Sequence, residues 1–391
     1  MRSRWLGLMA LTVARAGMGF QFQSVAAVSP FISSALGLDK TQLGWLIGLY
    51  LLPGIAFALP GGLLGRRFGN KRLVLVGLLL MAAGGVWLAV AGSLLEASAA
   101  RVLGGAGAVI LNVLLTTMVA DAFDGKERLL AMSILINAWP IGIGLALLVI
   151  GPLSQAAGWP LGIASTAMLA AVGFVLVLTV HRAPAPSATA PAAGLGLGTM
   201  SRMEWQLLFV ASLPWLLYNA AFQIEMSFLP SWLLERGFSV AGTGSLLALN
   251  AVLFVVGVQA GGIVLKRVQR PDLVCHVGVA AWCVSLLALT TSTPPLPWIV
   301  VGGLLGGLPA AAFVSLPLEC LRPTSRNAGM GVFYTVYYVG CATLPTLAGA
   351  LYDHRGGSAA LAMASALAMV ALPVLWWFHR SIARSLHAVR T

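Results

Sequence analysis

Twelve runs of about 20 mostly apolar residues, separated by polar breaks, occupy most of the sequence. A helix needs about 20 such residues to cross about 30 Å of hydrocarbon, where lipid offers the backbone no hydrogen-bond partner. The runs fall at 6–28, 42–64, 73–92, 98–121, 130–153 and 160–180, then at 205–229, 242–264, 273–291, 297–319, 328–351 and 358–378. Composition agrees: 59% of the 391 residues are hydrophobic and 9% charged, against about 45–50% and about 25% in soluble domains. The expected fold is all-α and integral to a membrane, with six spans on each side of one long polar interval. That interval, HRAPAPSATAPAAGLGLGTMSRM at 181–203, is rich in Ala, Pro, Gly and Ser, has no apolar periodicity and reads as a linker. The organisation expected is a six-helix bundle at 1–180, a cytoplasmic linker at 181–203, a second bundle at 204–379 and a cytoplasmic tail at 380–391.

A formal charge of +12 raises the question of a nucleic-acid partner, and the distribution of the cations answers it. Of 23 Lys and Arg, three (Lys40, Arg236, Arg355) lie in loops facing one side and two (Arg15, Arg101) within spans; the other eighteen lie on the side of both termini. Such asymmetry follows the positive-inside rule and predicts cytoplasmic termini. The basic charge is a topology signal, with anionic lipid headgroups as counter-charge and no nucleic acid required. The opening MRSRWLGLMALTVARAG imitates a signal peptide, but eleven further spans favour a retained first helix. Cys275, Cys283, Cys320 and Cys341 lie in or beside spans without metal-ligand spacing and are expected to be free thiols.

The two halves resemble each other. GGLLGRRFGNKR at Gly61 returns as GGIVLKRVQRPD at Gly261, aligning Gly61, Gly62 and Arg67 with Gly261, Gly262 and Arg267. At an offset of 198, Arg128 aligns with Arg326, Met132 with Met330, Gly151 with Gly349 and Gly158 with Gly356. Six crossings per half leave both halves in the same orientation, so the repeat is parallel, about an axis along the membrane normal. Two bundles so related enclose a cleft that rocking can open to either side.

These motifs resemble the major facilitator superfamily. Gly61 to Arg72 is similar to its signature loop between the second and third helices, basic residues around Gly69; ARVLGGAGA from Ala100 resembles its fourth-helix signature. VIGPLSQAAGW is mirrored by LAGALYDHRGG at the ends of the fifth and eleventh helices. The resemblance implies twelve helices in two six-helix bundles and a conformational latch around Gly61, Gly65, Arg66, Arg67, Gly69, Arg72, Asp121 and Arg128, with Arg267 and Arg326 in the second half. Where the family's loop carries an aspartate, this chain has Gly65, which leaves Asp121, Asp124 and Glu127 as candidate partners for Arg66, Arg67 and Arg72. Helix 5 lacks the glycine pair after Gly-Pro that resembles the exchanger signature. A fainter likeness, in helix 2 through Gly69 and in Trp139-Pro140, points to the cyanate and nitroimidazole branch and names no solute.

Charge in hydrocarbon costs about 2.5–3.5 kcal/mol near a helix centre, so each intramembrane ionisable group is a candidate site. Arg15 in helix 1, with Gln21 and Gln23, fits one broad polar face that could bind an anionic solute; alternatively Arg15 snorkels or caps carbonyls. Arg101 in helix 4, which the resemblance ties to bundle organisation or proton movement, is otherwise a guanidinium near the interface beside Glu96. Glu225 in helix 7, near Asn219 and Gln223, is a candidate proton carrier, or else lies in the headgroup layer. Asn112, Asn137, Asn250 and Gln259 can bind solute or bridge helices. Tyr334 and Tyr338, four apart, share a face that lines the cleft or packs. Pro53, Pro140, Pro214, Pro309 and Pro345 are expected to interrupt helices, as hinges or as static kinks.

An enzyme is not expected: the five histidines have no carboxylate or cysteine cluster, no GxxxxGK[ST] motif occurs, and no metal or cofactor is implied. The reading is a monomeric secondary transporter in a bacterial inner membrane, taking up a small polar or anionic solute with protons by alternating access. The alternatives are a proton-coupled exporter of drug-like or metabolic compounds and, further off, a membrane receptor or scaffold.

Overall fold

The computed structural model describes residues 2–58, 60, 65, 67–180, 200–268, 271–291, 294–322 and 324–388, with the side chains at 2, 3, 126, 129, 266, 271, 327 and 383–388 excepted. Gly61, Gly62 and Arg66 of the signature stretch lie outside the described residues, as do 181–199 of the linker and 389–391 of the tail. Everything described is helix, turn or coil.

Among the described residues, fifteen helical segments build twelve rods. In the first half, α1 (Arg2–Ala27) is followed by the short α2 (Ser29–Leu36); α3 (Lys40–Leu49) and α4 (Pro53–Phe57) form the second rod. Then come α5 (Asn70–Ala89), α6 (Leu94–Ala122), α7 (Gly125–Ala157) and α8 (Trp159–Thr179). The second half holds α9 (Arg202–Glu235), α10 (Val240–Arg267), α11 (Pro271–Thr291), a tenth rod made of α12 (Leu296–Gly306) and α13 (Ala310–Cys320), α14 (Arg326–Arg355) and α15 (Gly357–Ala388). An even number of rods leaves both ends of the chain on one face, here the terminal face; the opposite is the far face. Pro53 and Pro309 stand at breaks between segments, whereas Pro140, Pro214 and Pro345 sit inside continuous helices. Three of the five prolines therefore bend a helix at most.

The internal repeat is written in the backbone. Gly37 and Gly237, 200 apart, both turn the chain with positive φ (66° and 88°), and Gly158 and Gly356, 198 apart, do the same (89° and 81°). Capping boxes start one rod in each half: Asp39 with Gln42 at α3 and Ser201 with Glu204 at α9. All four cysteines are unpaired, three buried and Cys320 half-buried.

The halves meet near the far face at two crossings related by the same repeat. A side chain at Gly44 would collide with the carbonyl of Pro345, one at Gly48 with Ala342 and one at Gly349 with Lys40, where α3 crosses α14. At the second crossing Gly244 faces the carbonyl of Leu147, and Gly151 faces Val240, between α10 and α7. Small residues let backbones approach this closely, which is where packing between membrane helices gains its energy. The first half's apolar core runs on through this contact into Met226, Leu229, Leu233 and Cys341 of the second.

Nine described helices are long and apolar enough to span by composition alone: α5 to α11, α15 and the joined α12–α13 rod. The rods that fail are α1, the broken α3–α4 pair and α14. The α3–α4 pair fails because neither segment reaches the length of a span, and α1 and α14 because their mean hydropathy is lower.

Candidate functional site

Arg15 lies in the middle of α1, buried at 9% exposure, and its Nε and Nη1 have no hydrogen-bond partner in the protein. Its electrostatic neighbours are Tyr334, Tyr337 and Tyr338 of α14, across the boundary between halves, and no ion pair reaches it among the described residues. A buried donor without a partner costs about 1–3 kcal/mol, more when charged, so its retention calls for a ligand or water on the boundary side. Gln223 of α9 is in the same position: 4% exposed, with both side-chain polar atoms buried and unpartnered. So is the indole Nε1 of Trp215, two turns before it. Asn112 of α6 donates to the hydroxyl of Tyr338 across the boundary (2.8 Å), and Gln259 of α10 donates to Asn137 of α7 (3.1 Å). Asn219 is turned back onto its own helix, donating to the carbonyl of Trp215 (2.8 Å).

The expectation that Arg15, Gln21 and Gln23 share one polar face is not met. At about 100° per residue, positions 21 and 23 stand about 200° apart. Gln21 points into the first half, donating to the carbonyl of Met81 (2.8 Å) and accepting from the hydroxyl of Tyr50 (3.2 Å). Gln23 points across to the second half and donates to the carbonyl of Met226 (2.7 Å). Arg15 alone of the three faces the tyrosines of α14.

Arg101 is buried and does not pair with Glu96, whose carboxylate instead accepts from the N–H of Gly92 (2.7 Å). Its guanidinium donates to the carbonyls of Leu46 (2.9 Å), Gln21 (2.9 Å) and Phe22 (3.1 Å) and stacks on Tyr50, 4.5 Å from the ring centre. It ties α6 to α1 and α3 in a geometry that only a planar five-donor fork can serve.

Glu225 is 2% exposed, inside the second half. Its two oxygens accept from Asn250 of α10 (2.7 Å) and from the indole of Trp282 of α11 (2.8 Å). Asn250 is thereby engaged by Glu225 rather than aimed at the boundary. No cation pairs with the carboxyl among the described residues.

At the terminal face, Asp124 pairs with Arg128 (3.1 Å) and Glu127 with Arg4 (2.8 Å). Neither these acids nor the exposed Asp121 pairs with Arg67 or Arg72 among the described residues. Arg67 stacks on neighbouring Phe68, while Lys71 donates to the carbonyl of Leu178 (2.9 Å). At Gly65 a side chain would press on Asn70 and Leu114, and the Gly65 carbonyl accepts from Gly69, whose φ of 87° turns the chain. Arg267 and Arg326 are exposed.

Two polar clusters escaped the sequence reading. Glu204 at the start of α9 is buried and bonds Arg322 (2.7 Å), the hydroxyl of Ser325 (2.6 Å) and the N–H of Ser201 (2.8 Å), clamping α9 to the loop before α14. At the far face Asp353 of α14 accepts from the N–H of Lys40 (2.9 Å), the N–H of Thr41 (2.8 Å) and the Thr41 hydroxyl (2.6 Å). A carboxylate of one half thus caps a helix of the other. Asp353 stands in the LYDHRGG stretch that betrays the repeat, but nothing local in the sequence names its partner 312 residues away.

Comparison with known proteins matches this architecture. The family model of the Major Facilitator Superfamily aligns with residues 9–318. Over 383 residues the chain is 27% identical to the 3-(3-hydroxy-phenyl)propionate transporter of Escherichia coli, covering 92% of this chain and 90% of that one. It is 24% identical over 258 residues to the hexuronate transporter of Bacillus subtilis, covering 63% and 61%. The solved structure of the nucleoside transporter NupG, at 14% identity, shares the fold with a TM-score of 0.76 over 96% of this chain and 99% of that one. With twelve helical rods in two repeated halves and a family match running through both, the chain belongs to the Major Facilitator Superfamily and is a multi-pass membrane transporter of small solutes.

Proposed function

We propose that the protein carries a small organic anion across a bacterial inner membrane by alternating access, taking it up together with protons, with both termini in the cytoplasm. The anion reading is carried by Arg15, a guanidinium buried at the boundary between halves with two of its nitrogens unpartnered and no carboxylate beside it. A solute carboxylate would supply the charge and the acceptors that the protein withholds, in the bidentate geometry that guanidinium favours. Gln223 offers a further donor and acceptor from the opposite half. Both relatives described above are named for solutes that carry a carboxylate at neutral pH.

Orientation rests on the eighteen cations of the terminal side. In that orientation the far face, where the halves touch at Gly44 and Asp353, is periplasmic, and these contacts support a state closed to the outside. Glu225 is the proton carrier in this reading: an intramembrane carboxyl without a cation, on the same helix as Gln223. One proton falling through 100 mV supplies about 2.3 kcal/mol, enough for about fifty-fold accumulation.

The test is uptake into proteoliposomes with an inside-alkaline gradient, using 3-phenylpropionate and glucuronate as probes. Wild-type protein is expected to accumulate at least one of them, and Arg15→Gln to raise the apparent constant for it by at least about tenfold, the loss of one charge-assisted bond. An unaltered constant would exclude Arg15 as the anion's partner.

A further inference from the structure

Building on the anion reading of Arg15, we propose that the solute is an aromatic carboxylate whose ring packs against the half-buried Trp215 of α9 and Tyr337 of α14. Depth supports the pairing. Gln23 near the end of α1 meets Met226, and Ser29 at the start of α2 meets Ser231, at separations of 203 and 202, so the far-face end of α1 runs beside α9 with a shift near that value. Arg15 is therefore level with residues about 217 to 218, within one helical turn of Trp215.

Tyr337 connects the two. It is an electrostatic neighbour of Arg15, and its ring centre is 6.4 Å from that of Trp215. Tyr334 stands edge-on to Tyr337 at 89°, while Phe333 and Tyr218 lie nearly parallel to Trp215 at 24° and 27° and are buried behind it. Trp215, Tyr334 and Tyr337 are only half-buried, so the layer nearest Arg15 keeps exposed aromatic surface.

The polar inventory narrows the ligand further. Beyond Arg15 itself, the unpartnered buried polar atoms closest to its level on these helices are the Thr12 hydroxyl, the indole N–H of Trp215 and the amide of Gln223, with those of Gln23, Ser227, Thr346 and Tyr352 further toward the far face. A sugar acid would bring several hydroxyls against aromatic faces, and each one left unpaired would carry its desolvation cost uncompensated. A ring leaves no polar group unpaired there, gains edge or face contacts, and one acceptor on it, a hydroxyl or ether oxygen, would satisfy the Trp215 N–H.

The experiment measures binding to the purified full-length protein by calorimetry. The probes are 3-phenylpropionate, its 3-hydroxy derivative, propionate, glucuronate and the uncharged 3-phenylpropanamide. 3-Phenylpropionate is expected to bind at least about tenfold more tightly than propionate or glucuronate, the equivalent of one or two aromatic contacts. Trp215→Ala should cut that ring preference about tenfold, and Trp215→Phe should keep it while abolishing the further gain from the ring hydroxyl. Trp215→Phe, which preserves packing, also serves if the alanine variant does not fold. Propionate or glucuronate binding as tightly as 3-phenylpropionate, or a ring preference untouched by both substitutions, would overturn the aromatic subsite and leave the anion reading standing. An amide that binds as well as its acid would overturn the anion reading instead, and a panel that does not bind at all would overturn both.

Discussion

Asp353 is the most exposed to test of the contacts between halves, because it does for α3 what a helix ordinarily does for itself. The first four N–H groups of a helix lack partners within it. In α3 the side chain of Asp39 takes the N–H of Gln42 and its carbonyl takes that of Leu43, which leaves those of Lys40 and Thr41 to Asp353 of the other half. Removing a capping side chain costs about 0.5–2 kcal/mol, and the charge at the helix N-terminus adds about 0.3–1 kcal/mol. The site is open to water, which takes over the bonds when the halves part, so the net value lies low in the combined range, at about 1–2.5 kcal/mol. Asp353→Ala should therefore shift the balance between far-face-closed and far-face-open forms by about fivefold to seventyfold. Asp353→Asn, which keeps an acceptor and loses the charge, should shift it less. The assay is a distance measurement between spin labels at Ser34→Cys and Thr291→Cys, exposed far-face positions in opposite halves, with the four native cysteines replaced. A distance distribution identical in wild type and Asp353→Ala would refute the idea that this cap holds the far face shut.

Other expectations are as direct. Glu225→Gln should abolish accumulation driven by a pH gradient while leaving counterflow exchange intact; a mutant that still concentrates solute when the outside is acidified would remove Glu225 as the proton carrier. Arg101→Met forfeits three charge-assisted bonds to Leu46, Gln21 and Phe22, a loss of about 3 kcal/mol or more to be read as a lower melting midpoint, and an unchanged midpoint would deny it the role of a strut. Gly244→Leu drives a side chain into the backbone of Leu147, so it should widen the same label distance used for Asp353; a closed far face in that variant would mean that the crossing is not under close-packed constraint.

How much of this was legible beforehand depends on the range of each interaction. Helix number, order and repeat were, because lipid forces every span to satisfy its own backbone and so stamps a run of about 20 apolar residues into the chain. Arg15, Glu225 and Arg101 were legible as candidates for the same reason: charge in hydrocarbon is costly and therefore conspicuous. Their differing environments were not legible. Arg101 is saturated by three carbonyls, Glu225 by Asn250 and Trp282, and Arg15 is left with unpartnered nitrogens. The acids Asp124 and Glu127 looked free to serve the signature-loop arginines, but the chain brings Arg128 and Arg4 closer.

The sequence by itself determined that the chain spans a membrane twelve times, that it is built twice in the same orientation, and that its cations gather on the side of its termini. Those properties follow from the solvent and from local composition. Tertiary structure alone decided that the halves touch at the far face through Gly44 and the Asp353 cap, and that Trp215, Gln223 and Arg15 are among the groups left with unpartnered polar atoms near the boundary between halves. These depend on contacts between residues some 200 to 300 positions apart, and a helical pattern specifies which face is polar without specifying what that face will meet.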